Sequence, residues 1–375
     1  MTSKERVLAV LDGRAVDRFP VAAPYLQLLQ EDHWCELTGR PAWRFYEWML
    51  QEPGEHAREY GRYLEQLPFD FLTPQHAMPT EQRRALEVVE EADGHYYHDR
   101  RSGERRLLNE DLHQMHGGPN VSQTVFNSED VDRLVKVAPA RDQLASGRHD
   151  YIREAARASG RDRFILTGVI NTFYQCSAYL GEENLFAMLY DDPALVHYLS
   201  TRLLERTVED VRAAAAAGSD GIWVDDALST CDLISLAFYE RFSRPYAKAL
   251  VDEIHAQGKK AVLIYFGGIA DRVKQIASIG ADSLQFEASM KGYVNDLGDI
   301  AAQVGDSICL WGNLNPVEDV QEATEAEMRE RMAAQVAIGK RQGRFVISTG
   351  SPITPLTPLP RVRRYIETGW ALGGL

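Results

Sequence analysis

The sequence predicts an α/β fold, a (β/α)8 barrel made of one domain over residues 1–375, and three observations carry that prediction. Short apolar segments that start on turn-forming residues and end on polar ones recur along the second half. They are GSDGIWVDD (218–226), KKAVLIYFGG (259–268), ADSLQFEA (281–288), SICLWGNL (307–314) and GRFVISTGS (343–351). Helical stretches separate them, and such β-α alternation implies parallel strands joined by crossover helices. With three earlier segments the strands number eight, the count that closes a barrel, and the chemistry of such folds sits where the strands end.

The composition agrees. A 375-residue chain with 45% apolar residues can bury one large core. Its net charge of −14, without any concentrated Lys/Arg run, argues against a nucleic-acid or membrane partner and for a small-molecule substrate. Cys35, Cys176, Cys231 and Cys309 form neither a disulfide framework nor a CxxC clip. The start, MTSKERVLAVLDGRAVDRFPV, has no long apolar stretch, and a cytoplasmic protein is expected. A homo-oligomer is compatible with all of this.

In chain order, Thr2 and Glu5 stand at capping-box spacing before a helix that runs towards Gly13. Phe19 to Tyr25 is the first strand, made irregular by Pro20 and Pro24, and Tyr25 lies at its end. Residues 31–67 are helical, with Trp34, Trp43, Phe45, Trp48 and Met49 as core bulk. Phe69 to Pro74 is the second strand. Between residues 87 and 108, Asp93-Gly94 and Ser102-Gly103 punctuate short alternating runs, which predicts an inserted β-ribbon. His113 and His116 follow; Gly117, Gly118 and Pro119 forbid a long helix there, so His116 is read as a substrate contact and not as a metal ligand.

Arg163 to Ile170 is the third strand and leads into Asn171 and Tyr174. Asp192-Pro193 is an N-cap followed by proline at the first helical position, and the apolar stripe from Leu195 to Val211 continues until Gly218. Thr324 and Glu327 open a last capped helix, expected to reach Gly339.

Alternation assigns the inward groups. Leu284 and Phe286 face the helices, so Ser283, Gln285 and Glu287 face the barrel axis. The same reasoning points Trp223 and Asp225 inward, then Leu263, Tyr265 and Gly267, Trp311 and Asn313, and Thr349 and Ser351. A carboxylate held among apolar walls keeps its proton to higher pH and can serve as a general acid. Glu287, Asp225 and Tyr265 are therefore the candidate catalytic groups, with Asp226 beside them.

GRAVDRFPV at the start, GSDGIWVDD with FYERFSRPYAKALVDEIHAQG, GADSLQFE, GNLNP and VISTGSPITPLTP together resemble the uroporphyrinogen decarboxylase superfamily. That superfamily includes cobalamin-dependent methyltransferases of the methanol and methylamine coenzyme M type. The resemblance runs over nearly the whole chain and implies a uroporphyrinogen decarboxylase-like TIM barrel with its site at the C-terminal mouth. The thiol-directed methyltransferases hold zinc with a His-x-Cys at the fifth strand and a Cys after the eighth. Here those positions are Tyr265, Gly267 and Ser351, so zinc is not expected. The decarboxylases carry an arginine-rich segment after the first strand, and AAPYLQLLQEDHW has no arginine. Their tyrosine matches Tyr179, and their late histidine falls on Ser351.

The resemblance thus implies a methyltransferase that demethylates a small O- or N-methyl compound onto a corrinoid (cobalamin) carried by a partner protein, with no cofactor bound by this chain. Tyr25, His116, Asn171, Tyr174, Tyr179, Asp226, Asn313 and Ser351 would contact the substrate. Two alternatives stand beside it: a cofactor-free decarboxylase or lyase acting on a small carboxylated compound, and a binding barrel without catalysis.

Overall fold

Parallel pairing organises the chain. The computed structural model describes residues 1–109, 112 and 123–374. Its main sheet has seven strands: β1 (Phe71–Leu72), β5 (Phe164–Ile170), β6 (Gly221–Asp226), β7 (Lys260–Tyr265), β8 (Ser283–Phe286), β9 (Cys309–Trp311) and β10 (Phe345–Val346). They lie side by side in chain order, every pair parallel. Burial on both faces explains their Val/Ile/Leu-rich runs. The inserted ribbon is a separate antiparallel sheet of β2 (Leu86–Glu91), β3 (Gly94–Asp99) and β4 (Arg105–Leu107), turning where Asp93-Gly94 and Ser102-Gly103 predict.

The sheet curls like a barrel but stays partly open, which corrects the expected closed ring of eight strands. Residues 19–23 form no ladder. Val21 makes one parallel bridge to Ile347, and its carbonyl accepts from the Asp70 amide at 3.1 Å. Pro20 and Pro24 have no N–H to give to a ladder, so the segment fills the gap without becoming a strand. A buried carboxylate fastens it instead. Asp70 accepts from the Val21 amide at 2.8 Å, from Arg6 at 2.8 Å, and from both Arg18 terminal nitrogens at 2.7 and 3.0 Å.

The helices largely follow their caps. Both capping boxes form, at Thr2/Glu5 and Thr324/Glu327. Asp192 caps the long helix Pro193–Ala217, and Gly218 ends it. The last capped helix runs past Gly339 to Gln342, because the left-handed turn that ends it falls at Gly343. Trp34, Phe45 and Trp48 pack edge to face and tilted in the core, as expected, and Tyr63 joins them edge-on to Trp34. Trp43 is half-buried and stacks on His95 of the ribbon. Among the described residues no helix is long and apolar enough to cross a membrane.

Candidate functional site

Register fixes which side chains share a face, since directly opposed residues in a parallel ladder point the same way. Asp225 opposes Ile170 on β5 and Ile264 on β7, and Ile264 opposes Gln285 on β8. Trp223 lies over Gly168, where an added Cβ would come within 1.9 Å of its ring. These residues make the inner face, as alternation predicts for β6 and β8. The other face meets the helices: Asp226 opposes Tyr265, and Tyr265 opposes Phe286.

This register corrects the reading of β7. Tyr265 points outward, fully buried, with its hydroxyl 3.0 Å from that of Tyr239. Val262, Ile264 and Phe266 take the inner positions given to Leu263, Tyr265 and Gly267. In an unbroken apolar run such as AVLIYF alternation leaves no trace, and the one hydroxyl suggests an inward polar group that is in fact satisfied by a helix.

Two of the expected residues, Tyr25 and Asp225, meet at the end of β6, and Tyr174 lies near enough to feel the Asp225 charge. The Tyr25 hydroxyl donates to Asp225 Oδ2, while Asp225 Oδ1 is buried and has no hydrogen-bond partner. Burial raises the Asp225 pKa to about 7; the Tyr25 bond works against the rise and the nearby Asp226 charge adds to it. Tyr25 has a left-handed backbone (φ 51°), unusual for an aromatic residue. Its ring stacks on Phe266 at 5.5 Å and stands edge-on to Trp223 at 5.8 Å. Burial, then the Asp225 charge, pushes the Tyr174 phenol up, which places it within electrostatic reach of the pair. A carboxyl near neutrality beside a phenol, walled by aromatic rings, is equipped to deliver a proton.

Glu287 is inside, as expected, but not among apolar walls. Tyr293 donates to its Oε2, Ser351 donates to Oε1 at 3.1 Å, and the Lys291 ammonium lies 3.1 Å from Oε1. It ties the segment after β8 to the chain after β10, and Ser351 belongs to that tie. Lys291, four residues on from Glu287, was the sequence signal for this arrangement.

The other candidates lie apart. Asp226 accepts from the Leu228 and Ser229 amides, from the Ser229 and Ser243 hydroxyls, and from Asn171 Nδ2 at 2.6 Å. Asn171 and Asp226 thus form a buried structural knot on the helix side. Asn313 lies beyond the last residue of β9, donating to the Asn295 carbonyl and accepting from Gln335. Tyr179 accepts from Arg206 at 2.7 Å on the flank of the molecule. His116 lies outside the described residues.

The residues do not fit the zinc site of the thiol-directed relatives. Tyr265 is committed to Tyr239 and Ser351 to Glu287, and Gly267 has no side chain. Among the described residues no group of three or more His, Cys, Asp or Glu could hold a metal ion.

A curled parallel sheet with an acid at its strand ends defines the class, an α/β barrel-like protein with the architecture of an enzyme. Residues 111–370 match the family model described as Uroporphyrinogen decarboxylase (URO-D), and the chain belongs to that family. It is 28% identical over 263 residues to a uroporphyrinogen decarboxylase of Coxiella burnetii, covering 67% of this chain and 69% of that one. It is 27% identical over 252 residues to that of Pseudomonas paraeruginosa, covering 64% and 66%. Among solved structures it is similar to a methyltransferase from Methanosarcina mazei, with a TM-score of 0.68, 18% identity and 98% of each chain covered, a likeness of fold.

Proposed function

We propose that this protein is a methyltransferase that demethylates a small methoxylated compound onto a corrinoid carried by a partner protein, with Asp225 as the general acid. The observation that carries the reading is the Asp225 carboxyl, buried, near neutrality, held by Tyr25 on one oxygen and unpartnered on the other. The corrinoid supplies the nucleophile that takes the methyl group. As the methyl carbon–oxygen bond breaks, its electron pair stays on the oxygen, and the Asp225 proton moves there, so that a neutral alcohol or phenol leaves. Asp225 ends as a carboxylate, with the Tyr25 hydroxyl still donating to it. An O-methyl donor suits this site better than a quaternary N-methyl one, because an amine leaving from a quaternary nitrogen is already neutral.

The rim supports a docking partner. Ile170, Leu233, Met290, Val294 and Leu356 are exposed, and they stand at the end of β5 or in the segments that follow β6, β8 and β10. Apolar side chains left open around a mouth suit contact with another surface. The name of the Methanosarcina mazei fold neighbour agrees with the reading.

The test mixes the protein with reduced corrinoid and a panel of methoxylated and N-methylated compounds, following methylcobalamin by absorbance. Methyl transfer from an O-methyl compound is expected, and the protein alone is expected to be silent. The family relatives favour a second reading, a decarboxylase in which Asp225 protonates a carbanion. Carbon dioxide released by the protein alone, with corrinoid making no difference, would establish that reading and overturn the first.

A further inference from the structure

The ladder between β1 and β5 has two residue pairs, Phe71 with Phe164 and Leu72 with Ile165, whereas β5 continues to Ile170. Where β5 outruns its neighbour, the flank opens into a cleft of about 640 Å³. That is within the range of small-molecule sites. Lys136, Arg148 and Arg206 line it. Arg206 donates to neutral groups, the Tyr179 hydroxyl at 2.7 Å and Gln175 Oε1 at 2.5 Å. Lys136 donates to the Asp132 carbonyl at 3.1 Å. None of the three cations forms an ion pair with a carboxylate of the described residues, although the whole chain carries a net charge of −14.

From this geometry we propose that the flank cleft is a binding site for a small monocarboxylate with an apolar body. Guanidinium groups present parallel N–H donors that match a carboxylate, and cations whose donors are not taken up in a direct ion pair are the ones able to take a ligand. Two carboxylates, Asp142 and Asp210, share the lining with the three cations, so the walls carry a surplus of one positive charge. One unit of charge matches a single carboxylate and disfavours a phosphate dianion. Val169, Ile170 and Pro79 supply apolar surface for the rest of the molecule. The cleft reaches the strand end that opposes Asp225, since Ile170 is its register partner. The site does not depend on the methyl-transfer reading, because its ligand class follows from the cleft alone.

Isothermal titration with benzoate and 4-methoxybenzoate, in the absence of corrinoid, tests the assignment. Saturable binding with one site per chain is expected, weakened about tenfold or more in Arg206→Gln and in Arg148→Gln. Arg206 also braces Tyr179 and Gln175, so Arg148→Gln, at an exposed position without side-chain hydrogen bonds, is the variant expected to keep the native fold, checked by circular dichroism. Three results overturn the proposal: titration without saturation, wild-type affinity in a folded Arg148→Gln, or inorganic phosphate displacing benzoate at equal concentration.

Discussion

Replacing Asp225 with Asn should separate the stability of the protein from its chemistry. In an unfolded chain an aspartate ionises near 3.8, whereas the buried Asp225 holds its proton to about 7. Between those values the native state binds more protons than the unfolded state, so this group makes stability fall as pH rises, and the loss is complete above about 7. At about 1.4 kcal/mol per pKa unit, the span from 3.8 to about 7 amounts to about 4 kcal/mol. The amide of Asn has no proton to lose in this range. Its oxygen can still accept from Tyr25, while its NH2 enters the place of the unpartnered Oδ1 at a cost that does not vary with pH. Denaturant unfolding of both proteins at about pH 4 and pH 8 isolates the term, since every other titrating group is shared. The variant should gain on the wild type by up to about 4 kcal/mol between the two, while turnover falls by about 10²–10⁴-fold. A stability difference that stays constant with pH would refute the buried neutral carboxyl. Full turnover in the variant would refute its role as the acid.

Tyr25→Phe removes the bond that holds the Asp225 pKa down, so the alkaline limb of the pH–rate profile should move to higher pH; a limb that stays in place would count against the contact. Asp70→Asn leaves Arg6 and Arg18 without their shared buried anion and should cost about 3–5 kcal/mol in denaturant unfolding. Glu287→Gln should cost about 1–3 kcal/mol of stability and spare most turnover; a loss of turnover equal to that of Asp225→Asn would make Glu287 the acid. Burial lowers the pKa values of His56 and His149 to about 3 and of His76 to about 4. The unfolded chain therefore binds more protons than the native one between about pH 6.5 and 4, and acidification over that window should destabilise by up to about 1.4 kcal/mol per histidine per pH unit. Unfolding free energies that stay flat over the window would contradict the buried neutral rings.

The fold was legible where burial on both faces leaves apolar runs, which is why β5 to β8 stand out in the sequence, and where Asp192 and Gly218 mark the two ends of the long helix between β5 and β6. It was less legible at the seam. β1 and β10 are two residues long, and residues 19–23 have the composition of a strand but carry prolines that block a ladder. Whether the ring closes depends on such weak segments, and no local pattern reports it. The phase of β7 was also hidden, because an all-apolar strand shows its inner face only through its pairing with β6.

The site was half legible for a related reason. Asp225 and Asp226 are chemically identical in the sequence, and alternation alone says that they face opposite ways. Their surroundings then separate them. Asp226 collects five donors from the segment 228–243 and from Asn171, which makes it an acceptor that holds the strand end to the helices. Asp225 collects one, from Tyr25, which is 200 positions away in the chain and reaches it only through a left-handed turn. A carboxyl with too few donors is costly to ionise in a buried place, and so keeps its proton near neutral pH. The inward aspartate is under-solvated because its own face of the sheet offers it one donor while the opposite face offers its neighbour five, and that asymmetry within one dipeptide is what the proposed proton transfer from Asp225 rests on.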